Sequence, residues 1–277
     1  MRLFDSHCHL DDNSYQADLN EVIKRSLDAG VTRMMTIGVT AETSKQAVFL
    51  ADNHDGIYAS VGIHPHDARQ CDESVLGYLR YLAQHPKVCA WGEIGLDFNR
   101  MHSSKEDQEK WFIRQLEIGD DLGLPMIFHE RDSDGRFLEL LQALPNKKRS
   151  GVVHCFSGNA DELAQYLNMG FHIGITGILT IKGRGKKLRR MAPDIPVEKI
   201  LIETDAPYLV PAPQKNNTRR NEPAFVKSVL LKLAEVRADD PEKLAKVVFA
   251  NTCRFYGIEN IPETNGNDDI EPGIDPH

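Results

Sequence analysis

Eight short, strongly apolar segments recur along the chain with amphipathic stretches between them, and this alternation restricts the fold more than any other feature. They lie at residues 3–10, 33–39, 57–63, 88–96, 126–129, 152–156, 171–178 and 200–204. Several, such as Met126-Ile127-Phe128 and Ile200-Leu201-Ile202, are continuously apolar rather than alternating. That pattern belongs to parallel strands covered on both faces. Between them run helical stripes: Leu19, Val22, Ile23 and Leu27 before Gly30; Phe137, Leu138, Leu141 and Leu144 before Pro145; and Phe225, Val226, Val229, Leu230 and Leu233. Eight strands alternating with helices predict an α/β fold, a (β/α)8 barrel, rather than an open doubly wound sheet. No GxGxxG follows the first strand, which speaks against dinucleotide binding. The barrel is expected over residues 1–258, with an acidic, disordered tail over 259–277.

Charge sharpens the picture. The net charge of −8 argues against a polyanionic partner until its distribution is considered. Six acids and no Lys or Arg fall in residues 258–277, which leaves the body with a net charge of only −2. Within that body, residues 182–190 hold six cations: Lys182, Arg184, Lys186, Lys187, Arg189 and Arg190. Five cysteines, an odd number without a CxxC pair, favour a reducing compartment over a disulfide framework. With no apolar run long enough to span a bilayer and no signal-peptide pattern at Met1, a cytoplasmic enzyme is expected. Nothing in the helical stripes points to an exposed association surface, so a monomer is expected.

The chemistry concentrates at the ends of the apolar runs. The first reads Asp5-Ser6-His7-Cys8-His9, and strand alternation turns Asp5, His7 and His9 to one face. Two imidazoles so placed can grip one metal ion. Glu93 ends the fourth run, His129 the fifth, His154 the sixth and Asp205 the eighth. These positions fall on the carboxyl rim, where barrel enzymes build their sites. Each histidine alone could be a buried structural residue; the set of four His and two carboxylates is the signal. Six ligands exceed one tetrahedral zinc site, which suggests two divalent ions with Glu93 as the bridge. Imidazole mixed with carboxylate suits Mg, Mn or Zn. Cys8 and Cys155 adjoin these ligands, but alternation turns them away as packing residues.

Six motifs then stand in order: Asp5-Ser6-His7-Cys8-His9-Leu10, Gly62-Ile63-His64-Pro65, Gly92-Glu93-Ile94-Gly95-Leu96-Asp97, His154-Cys155-Phe156-Ser157-Gly158, Glu203-Thr204-Asp205-Ala206-Pro207-Tyr208-Leu209 and Arg220-Asn221-Glu222-Pro223. Together they resemble the TatD family of metal-dependent deoxyribonucleases, within the amidohydrolase-like metal-dependent barrels, from residue 2 to about residue 257. The resemblance implies that His7, His9, Glu93 and Asp205 hold one ion and that Glu93, His129 and His154 hold the second. It also implies that Asp205 orients or deprotonates the attacking water. The implied activity is hydrolysis of DNA phosphodiesters with Mg or Mn, from the 3′ end of single strands. No ligand position is replaced here, while the acidic extension has no family counterpart.

A phosphodiester needs positive charge beyond the metals. Arg131, two residues past His129, would present a guanidinium to phosphate if the fifth strand runs that far; otherwise it pairs with Glu130 or Asp132. His64 and His66 flank Pro65 at the end of the third strand and would contact the leaving group. Lys186, with Lys187 and Arg190, would track a nucleic-acid backbone, and Lys215, Arg219 and Arg220 extend the same possibility. Trp91 is expected in the core. The leading expectation is a two-metal deoxyribonuclease with catalytic Asp205 and Glu93. The alternatives are a small-molecule amidohydrolase, lactonase or deaminase on the same barrel, a histidinol-phosphatase-type phosphoesterase, or a nucleic-acid-binding protein without chemistry. Many small-molecule members bridge their metals with a carboxylated Lys, and the fourth-strand motif carries Glu93 instead.

Overall fold

The apolar runs pair side by side in chain order. In a computed structural model that describes residues 1–259, they form β1 (Leu3–Cys8), β2 (Val31–Ile37), β3 (Ile57–Val61), β4 (Val88–Asp97), β5 (Met126–Arg131), β6 (Gly151–Val153), β7 (His172–Ile175) and β8 (Ile200–Ile202). Every neighbouring pair is parallel and the order is β1 through β8 without crossover. The ring closes just beyond β8, where the Asp205 N–H donates to the His7 carbonyl at 2.9 Å and the His9 N–H to the Ala206 carbonyl at 2.7 Å. The result is the expected (β/α)8 barrel.

The three helical stripes form helices Leu19–Asp28, Arg136–Ala143 and Val226–Arg237. Polar caps set where other helices begin. Thr40 and Thr43 form a reciprocal capping box at helix Ala41–Asn53, and Asp240 caps helix Pro241–Phe255, whose first residue is Pro. The core has two parts. A large one lies between the sheet and the helices. A smaller one gathers Phe4, Met35, Ile37, Ala90, Ile127, Val152 and Leu201 from the strands against Phe249, Cys253, Phe255 and Tyr256, so helix Pro241–Phe255 and its end close the amino end of the barrel. Trp91 is fully buried in the large core, as expected.

The strand ends depart from the apolar pattern in an informative way. β6 stops at Val153 and β8 at Ile202, short of the expected 156 and 204, because the following residues leave the ladder to aim polar side chains inward. β5 runs on through Arg131. The basic run is not one helical face: it is a loop followed by the short helix Lys186–Met191. Arg189 turns back to donate to the carbonyls of Leu179 at 2.6 Å and Ile181 at 2.9 Å, so one of the six cations holds the loop. Among the described residues no helix is long and apolar enough to cross a membrane. The expected acidic tail lies, from residue 260 onward, outside the described residues.

Candidate functional site

Glu93 is delivered by an irregularity in β4. The register with β5 shifts between Trp91 and Ile94, and Gly92 and Gly95 take φ of +147° and +148°, backbone that L side chains rarely adopt. A Cβ on Gly95 would lie 1.9 Å from the His129 carbonyl oxygen. The two glycines therefore let β4 and β5 approach where Glu93 and His129 meet, with His129 Nδ1 2.8 Å from Glu93 Oε1.

Around Glu93, only 3% exposed, three further imidazoles converge. His7 Nε2 is 3.4 Å from Oε2, His64 Nε2 3.7 Å from Oε1 and His154 Nε2 3.9 Å from Oε1. Asp205 faces the same centre, with its Oδ1 3.4 Å from His9 Nε2 and 3.7 Å from both His7 Nε2 and His154 Nε2. Asp205 has φ +57°, an outlying conformation of the kind that accumulates at functional sites.

The charges respond to this crowding. Burial pushes the Glu93 carboxyl up, but the imidazoles of His64, His154 and His7, with the His129 hydrogen bond, outweigh it and hold Glu93 well below the usual carboxylate range. Burial likewise raises Asp205, and the His9 imidazole beside it, with those of His154 and His7, brings it below its ordinary value. Burial lowers His7 and, more strongly, His64. At His9, His129 and His154 burial also lowers the imidazole, but the neighbouring carboxylates outweigh it and raise all three, His129 to about 9 and His154 to about 10. Both carboxylates are thus ionised, and the raised imidazoles carry protons that a divalent cation would displace to use this donor set.

Whether the residues fit metals can be tested on the geometry. Ligands of one ion at roughly 2.1 Å sit roughly 3.0–3.4 Å apart. The contacts of 3.4–3.9 Å are too long for hydrogen bonds and near that separation. Both ring nitrogens of His7, fully buried, lack a hydrogen-bond partner among the described residues, which is costly unless something else meets them. Three groups have ligand atoms mutually within 4.8 Å: His7, His154 and Asp205; His7, His9 and Glu93; His64, Glu93 and His129. The donors fit.

All six expected ligands are brought together, and His64 joins them. His64 Nε2 is 3.1 Å from His129 Nδ1, so it stands beside Glu93 and not only at the rim. His66 binds Asp97, with Nε2 2.8 Å from Oδ2. Asp97 also meets His129 Nε2 at 3.1 Å, and Glu203 Oε1 lies 2.8 Å from His154 Nδ1. These two buried carboxylates orient the imidazoles from behind, and sequence reasoning assigned neither a role. The signal was present: each lies in the same motif as an expected ligand, Asp97 four residues past Glu93 and Glu203 two before Asp205. Asp5, though on the first strand with His7, is not in the cluster. It accepts the N–H and hydroxyl of Thr204, and burial pushes it up to about 8. Cys8 donates to the Met35 carbonyl, and burial raises both its thiol and that of Cys155, so neither is a poised nucleophile.

The cluster forms the floor of a cavity of about 1280 Å³. His64, His66 and Arg131 line it. Arg131 forms no ion pair among the described residues: Glu130 instead accepts from Ser133 and Asp132 from Asn99. Lys186 is exposed on its helix and does not line the cavity; Arg184, from the same run, does. Arg220 is tied to Asp18 and Glu222.

Fold and site together define a metal-dependent hydrolase barrel. The match to known proteins narrows this further. The family model described as TatD related DNase matches residues 4–257. The chain is 40% identical over 258 residues to the 3′-5′ ssDNA/RNA exonuclease TatD of Citrobacter koseri, covering 92% of this chain and 99% of that one. It is 39% identical over 258 residues to the protein of the same name from Escherichia coli K12, with the same coverage. Among solved structures, a TatD homologue from Escherichia coli K12 superposes with a TM-score of 0.84 at 27% identity, over 93% of this chain and 99% of that one. The chain belongs to the TatD-related DNase family.

Proposed function

We propose that the protein is a metal-dependent exonuclease that removes nucleotides from the 3′ ends of single-stranded DNA or RNA. The observation that carries this reading is the buried Glu93 carboxylate ringed by His7, His64, His129 and His154 at the floor of a cavity whose walls mix Arg100, Arg131 and Arg184 with acids such as Asp11, Asp12 and Asp67. The names of the similar exonucleases support the polarity and extend the expected DNA substrate to RNA.

In this reading His7, His9, Glu93 and Asp205 would hold one divalent ion, and Glu93, His129 and His154 would hold a second, with His64, which groups with Glu93 and His129, alongside. The ions would be Mg, Mn or Zn and would supply Lewis acidity and an acidified water. Asp205, ionised and at the cavity wall, receives the proton of the attacking water. Glu93 keeps the imidazoles at fixed separations. Asp97 and Glu203 fix the rotations of His129 and His154. Arg131 offers a planar guanidinium to the nonbridging phosphate oxygens, where charge develops. His66, held by Asp97, faces the departing group. Lys186 lies outside the cavity lining and is assigned only to the electrostatic approach of longer strands. Five free cysteines support a cytoplasmic setting.

The test follows a 5′-labelled single-stranded oligonucleotide with metal-stripped protein before and after Mg or Mn is added. A metal-dependent ladder shortening one nucleotide at a time is expected. Two bound ions per chain without cleavage of DNA or RNA would overturn the reading in favour of a small-molecule hydrolase.

A further inference from the structure

A second cavity, of about 670 Å³, adjoins the first, and the two share Arg184, Tyr208 and Leu209. Its walls include apolar Ile178, Ile181 and Val210 and the cations Lys215 and Arg219. No acidic residue lines it among the described residues, and neither Lys215 nor Arg219 forms an ion pair there. An apolar surface rimmed by uncompensated cations suits a group with a flat apolar face and an attached anion.

Tyr208 stands on the ridge between the cavities with 54% of its surface exposed. Its ring meets that of His9 edge-on at 5.8 Å, so the ridge touches the floor of the first cavity. The ridge is also fixed. The Tyr208 N–H donates to the Asp205 carbonyl at 2.8 Å, and the Tyr208 carbonyl accepts from Asn221 Nδ2 at 2.6 Å. Asn221 is itself held by donating to the Thr204 carbonyl and by accepting from the Tyr15 hydroxyl. Leu209 takes φ +54°, a left-handed conformation rare for a bulky apolar residue, which the surroundings must impose. The loop that carries Asp205 therefore carries the second cavity in fixed register with it.

We propose that the second cavity is a subsite for the part of the nucleic-acid strand on the 5′ side of the scissile bond. A base stacks on Tyr208 and rests on Ile178, Ile181 and Val210, while Lys215 and Arg219 hold the neighbouring phosphates. Arg184, shared by both cavities, spans the phosphate between them. This rests on the exonuclease reading and adds to it the residues that measure strand length: a dinucleotide fills only the first cavity, whereas a hexanucleotide reaches both.

The experiment compares fluorescence-anisotropy binding of a thymidine dinucleotide and hexanucleotide to the metal-free full chain, and then their cleavage with Mn. The wild-type protein is expected to bind the hexanucleotide about 10-fold or more tightly than the dinucleotide. The exposed double variant Lys215→Ala/Arg219→Ala should lose most of that preference, with its salt slope lowered by about 1.4 for two lost phosphate contacts. Tyr208→Ala should lose preference without changing the slope, and the charge-conserving Lys215→Arg/Arg219→Lys should keep both the preference and the slope. A length preference unchanged in both alanine variants, or absent in the wild type, overturns the subsite. Cleavage without length preference leaves the exonuclease reading standing while the subsite falls. Length-dependent binding without cleavage does the reverse.

Discussion

The two ends of this barrel are made by the same strands and obey opposite rules. At the amino end, Phe4, Met35, Ile37, Val152 and Leu201 meet the aromatic residues of helix Pro241–Phe255 and the Tyr256 that follows it, and each side chain contributes by filling space. At the carboxyl end, His7, Glu93, His154 and Glu203 are equally buried, yet they depend on polar neighbours, as Glu93 does on His129 and Glu203 on the Cys155 N–H, or on a ligand not of the chain. Burial at one end is a source of stability, and at the other it is the condition for chemistry. Substitutions at the two ends should therefore separate stability from turnover.

The largest effect is expected from Asp205→Asn, which keeps the side chain's size and removes its charge. Turnover should fall by about 10³-fold, or about 4 kcal/mol of barrier, while Tm moves by no more than a few degrees. Single-turnover rates and a melting curve on the same preparation check this; undiminished turnover removes Asp205 from proton transfer. The mirror experiment is Leu201→Ala, which empties part of the inner core. It should lower stability by about 3 kcal/mol and Tm by roughly 6–12 °C, with turnover per folded molecule unchanged at low temperature. A loss of turnover without a loss of Tm would mean that the ends are coupled rather than independent.

This division also governs what the sequence discloses. The barrel is legible because buried parallel strands must be continuously apolar, as Met126-Ile127-Phe128 and Ile200-Leu201-Ile202 are. His7, His9, Glu93, His129, His154 and Asp205 are legible as a set, because four imidazoles and two carboxylates at the ends of such runs exceed what structural needs call for, although each alone could be structural. The partnerships are not. That Glu203 faces His154 and Asp97 faces His129 depends on strand register and on shifts at β4, which no local pattern encodes. Nor does the spacing of the basic run tell Arg184, which enters the cavity, from Lys186, which does not, since that depends on where the chain leaves the short segment after β7.

Glu203→Gln tests whether these unseen partners matter. Gln keeps the shape and loses the charge that steadies His154, so affinity for Mn should weaken by about 10- to 100-fold, and most of the turnover should return at saturating metal. Calorimetric titration of the stripped protein beside the activity curve reads both. Equal metal affinity in variant and wild type would reduce Glu203 to a packing residue.

The smallest effect sharpens the contrast from the amino end. His172, at the start of β7, packs against Phe255 with ring centroids 4.9 Å apart. Burial, then the charge of Lys199, hold its imidazole down at about 4 from an ordinary 6.5. As pH falls through 6.5 the unfolded chain takes up a proton at this residue that the folded chain refuses until about pH 4. The unfolded state therefore binds more protons across that window, and stability declines as pH falls, with no loss above it and the full loss below it. The full gap corresponds to about 3 kcal/mol, and solvent screening at a residue left partly exposed brings the share owed to it to about 1–2 kcal/mol. His172→Phe, which cannot titrate, should lose that much less stability than the wild type between pH 7 and pH 4, measured by urea unfolding of the two proteins in parallel. Identical pH profiles would mean that the imidazole titrates alike in the folded and unfolded chain despite its burial.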